Sequence, residues 1–527
     1  MRFLLIWLFH IATLSSSALA EDFSVGVGES IQLAINAAAP GDTITIAAGT
    51  YEESLSTEVD GDSDSPITVK SDGEGEVIIT TSGEVLQVDH SHWRFIGLTF
   101  DGQYGTSDAI DINDGAHFLV FDQVEVRRSG RDCIDMGAPS YVEIKNSLIH
   151  HCLHYDDDEE MRMDAHGITG GAVQNLTIAD TDIHTFSGDG IQFDPGRSEP
   201  GWNNITIRNS RIWLEPLTED THGFSAGVVP GENAVDTKTF TEGDRATLTI
   251  EDSEMWGFRD GMDFSNQAAL LLKENVDVTV SRTLIRDSEI GLRVRGPTAR
   301  PGAHVSVDNC VIYDVTVGVR YEDDVESLFL THITMGEGIE TALEEVDSEG
   351  GSPVVKNSLF FGDTLPVEAE TGSNAVATAD DFEDASSGDY HLVATSSAID
   401  AGEPIEGIET DFDGAERTHG EAPDQGAFEF GGGLTDTGMG GDTGDTGDTE
   451  EPSDDDDDDT DIPTTDTGLT SDTGLSADDD AAPGGIGAAE SVGEKGGCGC
   501  SQSRLSPLAY GPWLLMWASV LLMRRRD

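Results

Sequence analysis

Tyr-Val-Glu-Ile-Lys-Asn-Ser-Leu-Ile (141–149) is answered downstream by Asn-Leu-Thr-Ile-Ala-Asp-Thr-Asp-Ile (175–183), Asn-Ile-Thr-Ile-Arg-Asn-Ser-Arg-Ile (204–212) and Ala-Thr-Leu-Thr-Ile-Glu-Asp-Ser-Glu-Met (246–255). The same phrase returns at 276–285, 304–312 and 353–360. Each copy is an alternating apolar strand, a polar pair, and a further apolar position. Alternation with period two reads as strand, not helix. One such strand cannot bury its apolar side alone, but coils stacked roughly 4.8 Å apart bury it continuously. The copies recur about every 23–30 residues, with longer excursions at two places, which is the signature of a solenoid. The polar pair supports this reading. Asn146, Asp180, Asn209, Asp252, Asn309 and Asn357 share one register, usually followed by Ser, Thr or Cys. Asn and Asp tolerate the left-handed backbone that a sharp turn needs.

Stacked amides at one register resemble the asparagine ladder of pectate-lyase-like proteins. The fold expected over residues 21–430 is therefore all-β, a single-stranded right-handed parallel β-helix. Residues 30–52 pair a short amphipathic helix with Pro40-Gly41-Asp42 and a strand. They resemble the N-terminal cap of extracellular β-helix polysaccharide enzymes, which implies a helix over the open end of the core. Ser397-Ala398-Ile399-Asp400-Ala401-Gly402 and Asp424-Gln425-Gly426-Ala427-Phe428-Glu429-Phe430 resemble the C-terminal segment of secreted β-helix repeat proteins.

The two ends read differently. Residues 1–20 carry Arg2, an apolar run from Phe3 to Ile11 and Ala18-Leu19-Ala20, the layout of a secretory signal peptide. Residues 431–495 are Asp-Thr-Gly repeats with an acidic run at Asp454–Asp459, too poor in apolar residues to bury a core, hence a disordered extended linker. Residues 496–527 run from Cys498 and Cys500 through the apolar stretch Leu508–Met523 to Arg524, Arg525 and Arg526. That stretch just suffices to span a bilayer, with the arginines on the cytoplasmic side. The order resembles the MYXO-CTERM sorting tail, which implies display on the cell surface and membrane attachment through the tail.

The formal charge is −74, and about 20 of the 102 acidic residues fall in 435–497, so the solenoid is itself acidic. Nucleic-acid binding needs basic surface and is excluded. The expected partner is an acidic polysaccharide, and the expected state a monomer. Of five cysteines, Cys133, Cys152 and Cys310 lie in the body, which is no disulfide framework, though one Cys133–Cys152 bridge is open. Cys310 occupies a Ser/Thr position of the repeat and reads as buried filler.

A second strand per coil follows the pattern Gly-apolar-X-apolar-X, with each X pointing outward. Its instances start at 109, 133, 167, 190, 234, 261, 291 and 318. The first outward column reads Asp111, Asp135, Thr169, Gln192, Asp236, Asp263, Arg293, Arg320. The second reads Asn113, Gly137, Gly171, Asp194, Lys238, Ser265, Arg295, Glu322. Outward charges on a solenoid are usually only solvated. Three features favour function here. Further Asp residues (Asp164, Asp189, Asp260) join the same coils, arginines concentrate in a chain of 28 cations, and the long inserts His154–Met163 and Glu215–Gly231 fall at this wall. Loops on one face of a solenoid commonly form its binding site.

Asn233-Ala234-Val235-Asp236-Thr237-Lys238, Arg259-Asp260-Gly261-Met262-Asp263-Phe264 and Gly291-Leu292-Arg293-Val294-Arg295-Gly296 are similar in order and coil spacing to family 9 pectate lyases. Those carry Asn-Ala-Asp-Gly, Asp-Asp-Gly-Trp-Asp and Gly-Phe-Lys-Leu-Gly. The resemblance implies a Ca²⁺ site at Asp236, Asp260 and Asp263 and a base at Arg293, with Arg259 standing where the family has a calcium Asp and arginine where it has lysine. The implied reaction is β-elimination on a uronate polymer, in which calcium acidifies the C–H beside the sugar carboxylate and a basic side chain removes the proton. Lys238 is the alternative base, since lysine shifts its pKa more readily than arginine. Arg295, Arg320 and His166 are the expected substrate-binding residues. Two rival functions stay open. Asp108–Asp111, Asp132–Asp135, Ala165–Gly171 and Arg293–Arg295 loosely resemble polygalacturonases, with Asp111, Asp132 and Asp135 as acid and base. The other rival is a non-catalytic glycan-binding adhesin.

Overall fold

The computed structural model describes residues 20–432, apart from 157, 197–200, 240–242, 263, 297–301, 324 and 348–350. The expected signal sequence (1–19), linker and tail (433–527) therefore lie outside the described residues. Among the described residues, no helix is long and apolar enough to cross a membrane.

A typical coil contributes three strands. In one coil these are Ser140–Lys145, Leu148–Cys152 and Ile168–Gly170, after which Gln174–Ala179 begins the next. Stacked, they make three outer faces around one core. The first face is a 13-stranded sheet, and the other two share a 22-stranded sheet. Pairing between coils is parallel and in register. Ile144, Ile178, Ile207, Ile250, Val280 and Val307 follow one another inward, every one at most 1% exposed. Alternation along each strand and repetition between coils thus converge on one apolar column, which is why the sequence phrase recurs.

The turn register holds as expected. Asn146, Asp180, Asn209, Asp252, Asn309 and Asn357 all have φ between 49° and 51°. Asn146 Nδ2 donates to Asp122 Oδ1 at 2.8 Å, and Asn209 donates to Asp180. The next residue of each pair turns inward and joins coils through its hydroxyl: Ser210 Oγ accepts from Thr181 N, and Ser253 Oγ accepts from Ser210 N, both at 3.2 Å. Cys310 takes that place in its coil, fully buried, and burial pushes its thiol well up.

The Gly of the second pattern has a packing reason. A Cβ on Gly190 would lie 2.8 Å from Ala234 O and 2.6 Å from Ile212 Cγ2, so the backbones of adjacent coils approach too closely for a side chain. Helix Ile31–Ala37 starts at Ser30, whose side chain accepts from Leu33 N, and buries Ile31 and Ile35. Cys133 and Cys152 are joined by a disulfide.

The last coils are covered by the segment 400–430. Asn309 and Asn357, exposed positions in earlier coils, are buried beneath it: Asn357 Nδ2 donates to Glu403 O at 2.7 Å and Asn309 Nδ2 to Thr410 O at 3.0 Å.

Candidate functional site

The third face carries most of the predicted site residues, with one correction. Asp111 pairs with Asp135, Asp135 with Thr169, Thr169 with Gln192, and Gln192 with Asp236, as the pattern requires. The next coil departs from it. Its strand is Ala268–Leu272, so Leu271, not Asp263, pairs with Asp236 and then with Arg293. Gly261 and Met262 sit before that strand, where Gly261 bridges Val229 and donates to Gln267 Oε1 at 2.7 Å. Asp263 itself lies outside the described residues. The physical reason is that Ala268–Leu272 is buried on both sides and shows no alternation, whereas the sequence just before it imitates the pattern.

The corrected register brings Lys273 to the site, a residue the sequence pattern missed. It follows Leu272 as Lys238 follows Thr237 one coil earlier. Asp236 is 4% exposed. Lys273 Nζ lies 2.8 Å from its Oδ1, and Lys238 Nζ 3.6 Å from its Oδ2. Lys238 also faces Asp194 Oδ2 at 3.6 Å. Burial raises the Asp236 carboxyl against the pull of Lys273 and Lys238.

From the next two coils, three guanidiniums converge on Glu322, which is 5% exposed. Arg293 forks onto it, with Nε at 2.7 Å from Oε1 and Nη2 at 3.2 Å from Oε2. Arg320 Nε is 2.8 Å from Oε1 and Arg295 Nε 3.2 Å from Oε2. Burial pushes the carboxyl up, but the arginines outweigh it and hold it below the usual range.

The implied calcium set fares differently. Asp260 is exposed in the loop at φ 54°. No trio of acidic, histidine or cysteine side chains gathers into a metal-holding group among the described residues. A calcium cage takes six to eight oxygens. A carboxylate already shared by two ammoniums does not fit that role.

The other end of the face is acidic. Burial, then Asp132, raises Asp108 to about 6; burial, then Asp108, raises Asp135 to about 7. Behind them runs a ladder in which each side chain accepts from the next coil's backbone. Asp132 N donates to Asp108 at 3.0 Å, His166 N to Asp132 at 2.7 Å, Asn233 N to Asp189 at 3.2 Å, and Ala268 N to Asn233 at 3.0 Å. His166, 8% exposed, also places Nδ1 2.8 Å from Asp132 Oδ1 and Nε2 3.7 Å from Asp189 Oδ2. Burial opposes its charge, but Asp132, with Asp189 and Asp164, lifts it to about 9.

That lift predicts a pH dependence. The folded pKa lies above the unfolded value of about 6.5, so the stabilisation is full below that value and is lost as pH rises through about 9. Its size is at most about 3 kcal/mol. Thermal melts from pH 6 to pH 10 should fall across this window, and His166→Gln should flatten the fall. An unchanged slope in the variant removes the assignment.

Both long inserts rise beside this face. His154–Asp156 and Met161–Met163 form an antiparallel hairpin, and Leu217 and Phe224 of the second insert bury with Leu153 against Tyr155. Gly223, at φ 86°, lies so close to Tyr155 that an added Cβ would sit 2.5 Å from its ring. Arg162 ties the inserts to the ladder. It is 2.9 Å from Asp164, 2.9 Å from Glu232 and 4.0 Å over the Phe264 ring.

The fold and face define a parallel β-helix with a charged outer wall. A family model described as "Right handed beta helix region" matches residues 84–214. No match among curated protein sequences accompanies it. Solved structures similar to the chain include the pectate lyase Pel9A, at 17% identity and a TM-score of 0.48, covering 78% of this chain and 97% of that one. An alginate lyase from Paenibacillus sp. str. FPU-7 is 17% identical with a TM-score of 0.42, covering 62% of this chain and 98% of that one. A family 28 exopolygalacturonase of Yersinia enterocolitica is 13% identical with a TM-score of 0.33, covering 69% and 79%.

Proposed function

We propose that this chain is a secreted, envelope-anchored protein that cleaves an acidic polysaccharide by β-elimination on the third face. The observation that carries the reading is Asp236, buried between Lys238 and Lys273, with Arg293, Arg295 and Arg320 on the following coils. In this reaction a base takes the proton beside the uronate carboxylate. The C–H electron pair forms the new double bond, the glycosidic C–O bond breaks, and the departing oxygen takes a proton. Lysine suits the base. The base must be a neutral amine, and lysine gives up its proton far more readily than arginine; Arg293 would also have to give up a two-point contact with Glu322 and an intrinsically very stable charge. Lys238 is therefore the proposed base, with Lys273 holding Asp236 beside it. In this proposal the guanidiniums of Arg293, Arg295 and Arg320 exchange Glu322 for substrate carboxylates, while His166, held between Asp132 and Asp189, supports the face from behind. Calcium enters the proposal as the ion that shields a polyanionic substrate from a body of net charge −74.

A second reading has its own observation. Asp135, raised to about 7, sits directly opposite Asp111 on the neighbouring coil, and a protonated acid beside a carboxylate is the equipment of a glycoside hydrolase. One experiment separates the two. The purified full chain is incubated with pectate, alginate and glycosaminoglycans, with calcium or a chelator, while ultraviolet absorbance of unsaturated ends and new reducing ends are followed together. The lyase reading expects both signals, and both to fall with the chelator. Reducing ends without absorbance assign cleavage to the Asp111–Asp135 pair. Retention of a polymer without either signal makes the face an adhesive surface.

A further inference from the structure

We propose that the outer side of the first sheet carries a second, non-catalytic binding site for an uncharged polysaccharide chain. The site stands independently of the third face. Three rings stack there in successive coils: His92 on Phe118 at 4.7 Å and 1°, and Phe118 on Tyr141 at 4.8 Å and 2°. All three residues have left-handed backbone, φ 63°, 58° and 59°. Bulky side chains rarely adopt that region, and an aromatic there is a steric outlier. The following two coils fill the same place with Asn175 and Asn204, both at φ 57°, which take the conformation easily. The turn therefore does not need rings. Nor do the rings serve the core, since Phe118 is 46% and Tyr141 53% exposed. Strain kept at an exposed position that asparagine would relieve points to a surface role.

The stack ends at Tyr141. Among the described residues no further ring joins the stack, since Asn175 and Asn204 take its place in the next two coils. Those amides are joined to each other, Asn204 Nδ2 donating to Asn175 Oδ1 at 2.6 Å, which leaves Asn204 Oδ1 and Asn175 Nδ2 for a ligand. Thr177 and Thr206 lie alongside, paired across the two strands. Together they border an open groove of about 710 Å³. An aromatic face beside amides and hydroxyls matches a sugar ring, apolar on its C–H side and hydroxylated at its edge. Charge selects among sugars. Arg94 and Glu143 in the groove cancel, so it offers a polyanion no surplus cation, while the net −74 of the chain repels one. A neutral polymer fits.

The test is native affinity electrophoresis of the full chain in gels cast with barley β-glucan, xylan, galactomannan or pectate. At least one neutral polymer should retard the protein. Tyr141→Asn, which copies the next two coils, should weaken that retention at least tenfold while the thermal midpoint holds or rises. Phe118→Asn should act in the same direction. Cleavage on the third face, measured in parallel, should not change in either variant. Absence of retardation by all three neutral polymers overturns the proposal. So does equal retention of wild type and Tyr141→Asn, or retention by pectate alone.

Discussion

Replacing Lys238 by Ala lowers turnover of a uronate polymer by at least about a hundredfold, within the range a positioned general base supplies, and leaves the fold almost unchanged. The second half of that expectation follows from geometry. Lys238 lies 3.6 Å from both Asp194 and Asp236, and its side chain is 21% exposed. Such pairs contribute little to stability. Lys273 differs: it lies 2.8 Å from a carboxylate that is 4% exposed. Removing it leaves a buried charge poorly compensated, at a cost of about 3–5 kcal/mol. Lys273→Ala should therefore lose stability and activity together. Lys273→Arg should recover most stability and little activity, because a guanidinium differs in shape from the ammonium it replaces. Kinetics with a pH profile and thermal melts on the three variants read both effects. If Lys238→Ala keeps full turnover, the base is not there, and Arg293 or the Asp111–Asp135 pair takes precedence.

The fold was legible because one physical requirement is stated many times. Every coil must present an apolar strand inward and turn a corner on a residue that accepts positive φ, so Ile144, Ile178, Ile207 and Ile250 and the Asn146–Asp180–Asn209–Asp252 turns repeat it. Most of the third-face columns were legible for the same reason. The coil at 257–273 was not. A strand buried on both sides has no alternation, so Ala268–Leu272 is silent to a period-two reading, while the preceding sequence Gly-Met-Asp-Phe-Ser (261–265) satisfies it by chance. That single slip put Asp263 in the column and left Lys273 out. Charge scarcity was the remaining signal, since a lysine at the end of an apolar run is conspicuous among 28 cations. What the sequence could not convey is which charges neutralise one another. Arg293, Arg295 and Arg320 read as a cationic stripe awaiting a substrate, yet all three close on Glu322, which faces Arg295 across the coils, lies one column from Arg293 and shares a strand with Arg320. Register fixes neighbours, but side-chain length decides which column a guanidinium reaches.

Arg417→Met is expected to release the segment 400–430 from the last coils. Arg417 is 2% exposed and donates to Gly426 O at 3.1 Å, to Ala427 O at 2.7 Å and to Asn309 Oδ1. Glu429 Oε2 lies 3.7 Å away. Burial raises Asp411, Asp424 and, to about 7, Glu429, and Arg417 opposes the rise at each. A methionine keeps the apolar volume and removes every one of these donors, leaving acceptors and carboxylates buried without a cation. Breaking such an arrangement costs about 3–5 kcal/mol. In a solenoid, coils contact chiefly their neighbours, so the loss stays local instead of spreading through the whole stack. The main thermal transition should therefore move little, while limited proteolysis within 400–430 accelerates about a hundredfold or more, the factor that about 3 kcal/mol implies where opening is fast relative to cleavage. Acid should partly rescue the variant. The raised carboxyls bind protons more readily folded than unfolded, so lowering the pH from 8 to 5.5 neutralises Glu429 first and reduces the buried charge left behind. A segment equally resistant in wild type and variant would mean that Asn357, through its bonds to Glu403, holds it without the arginine.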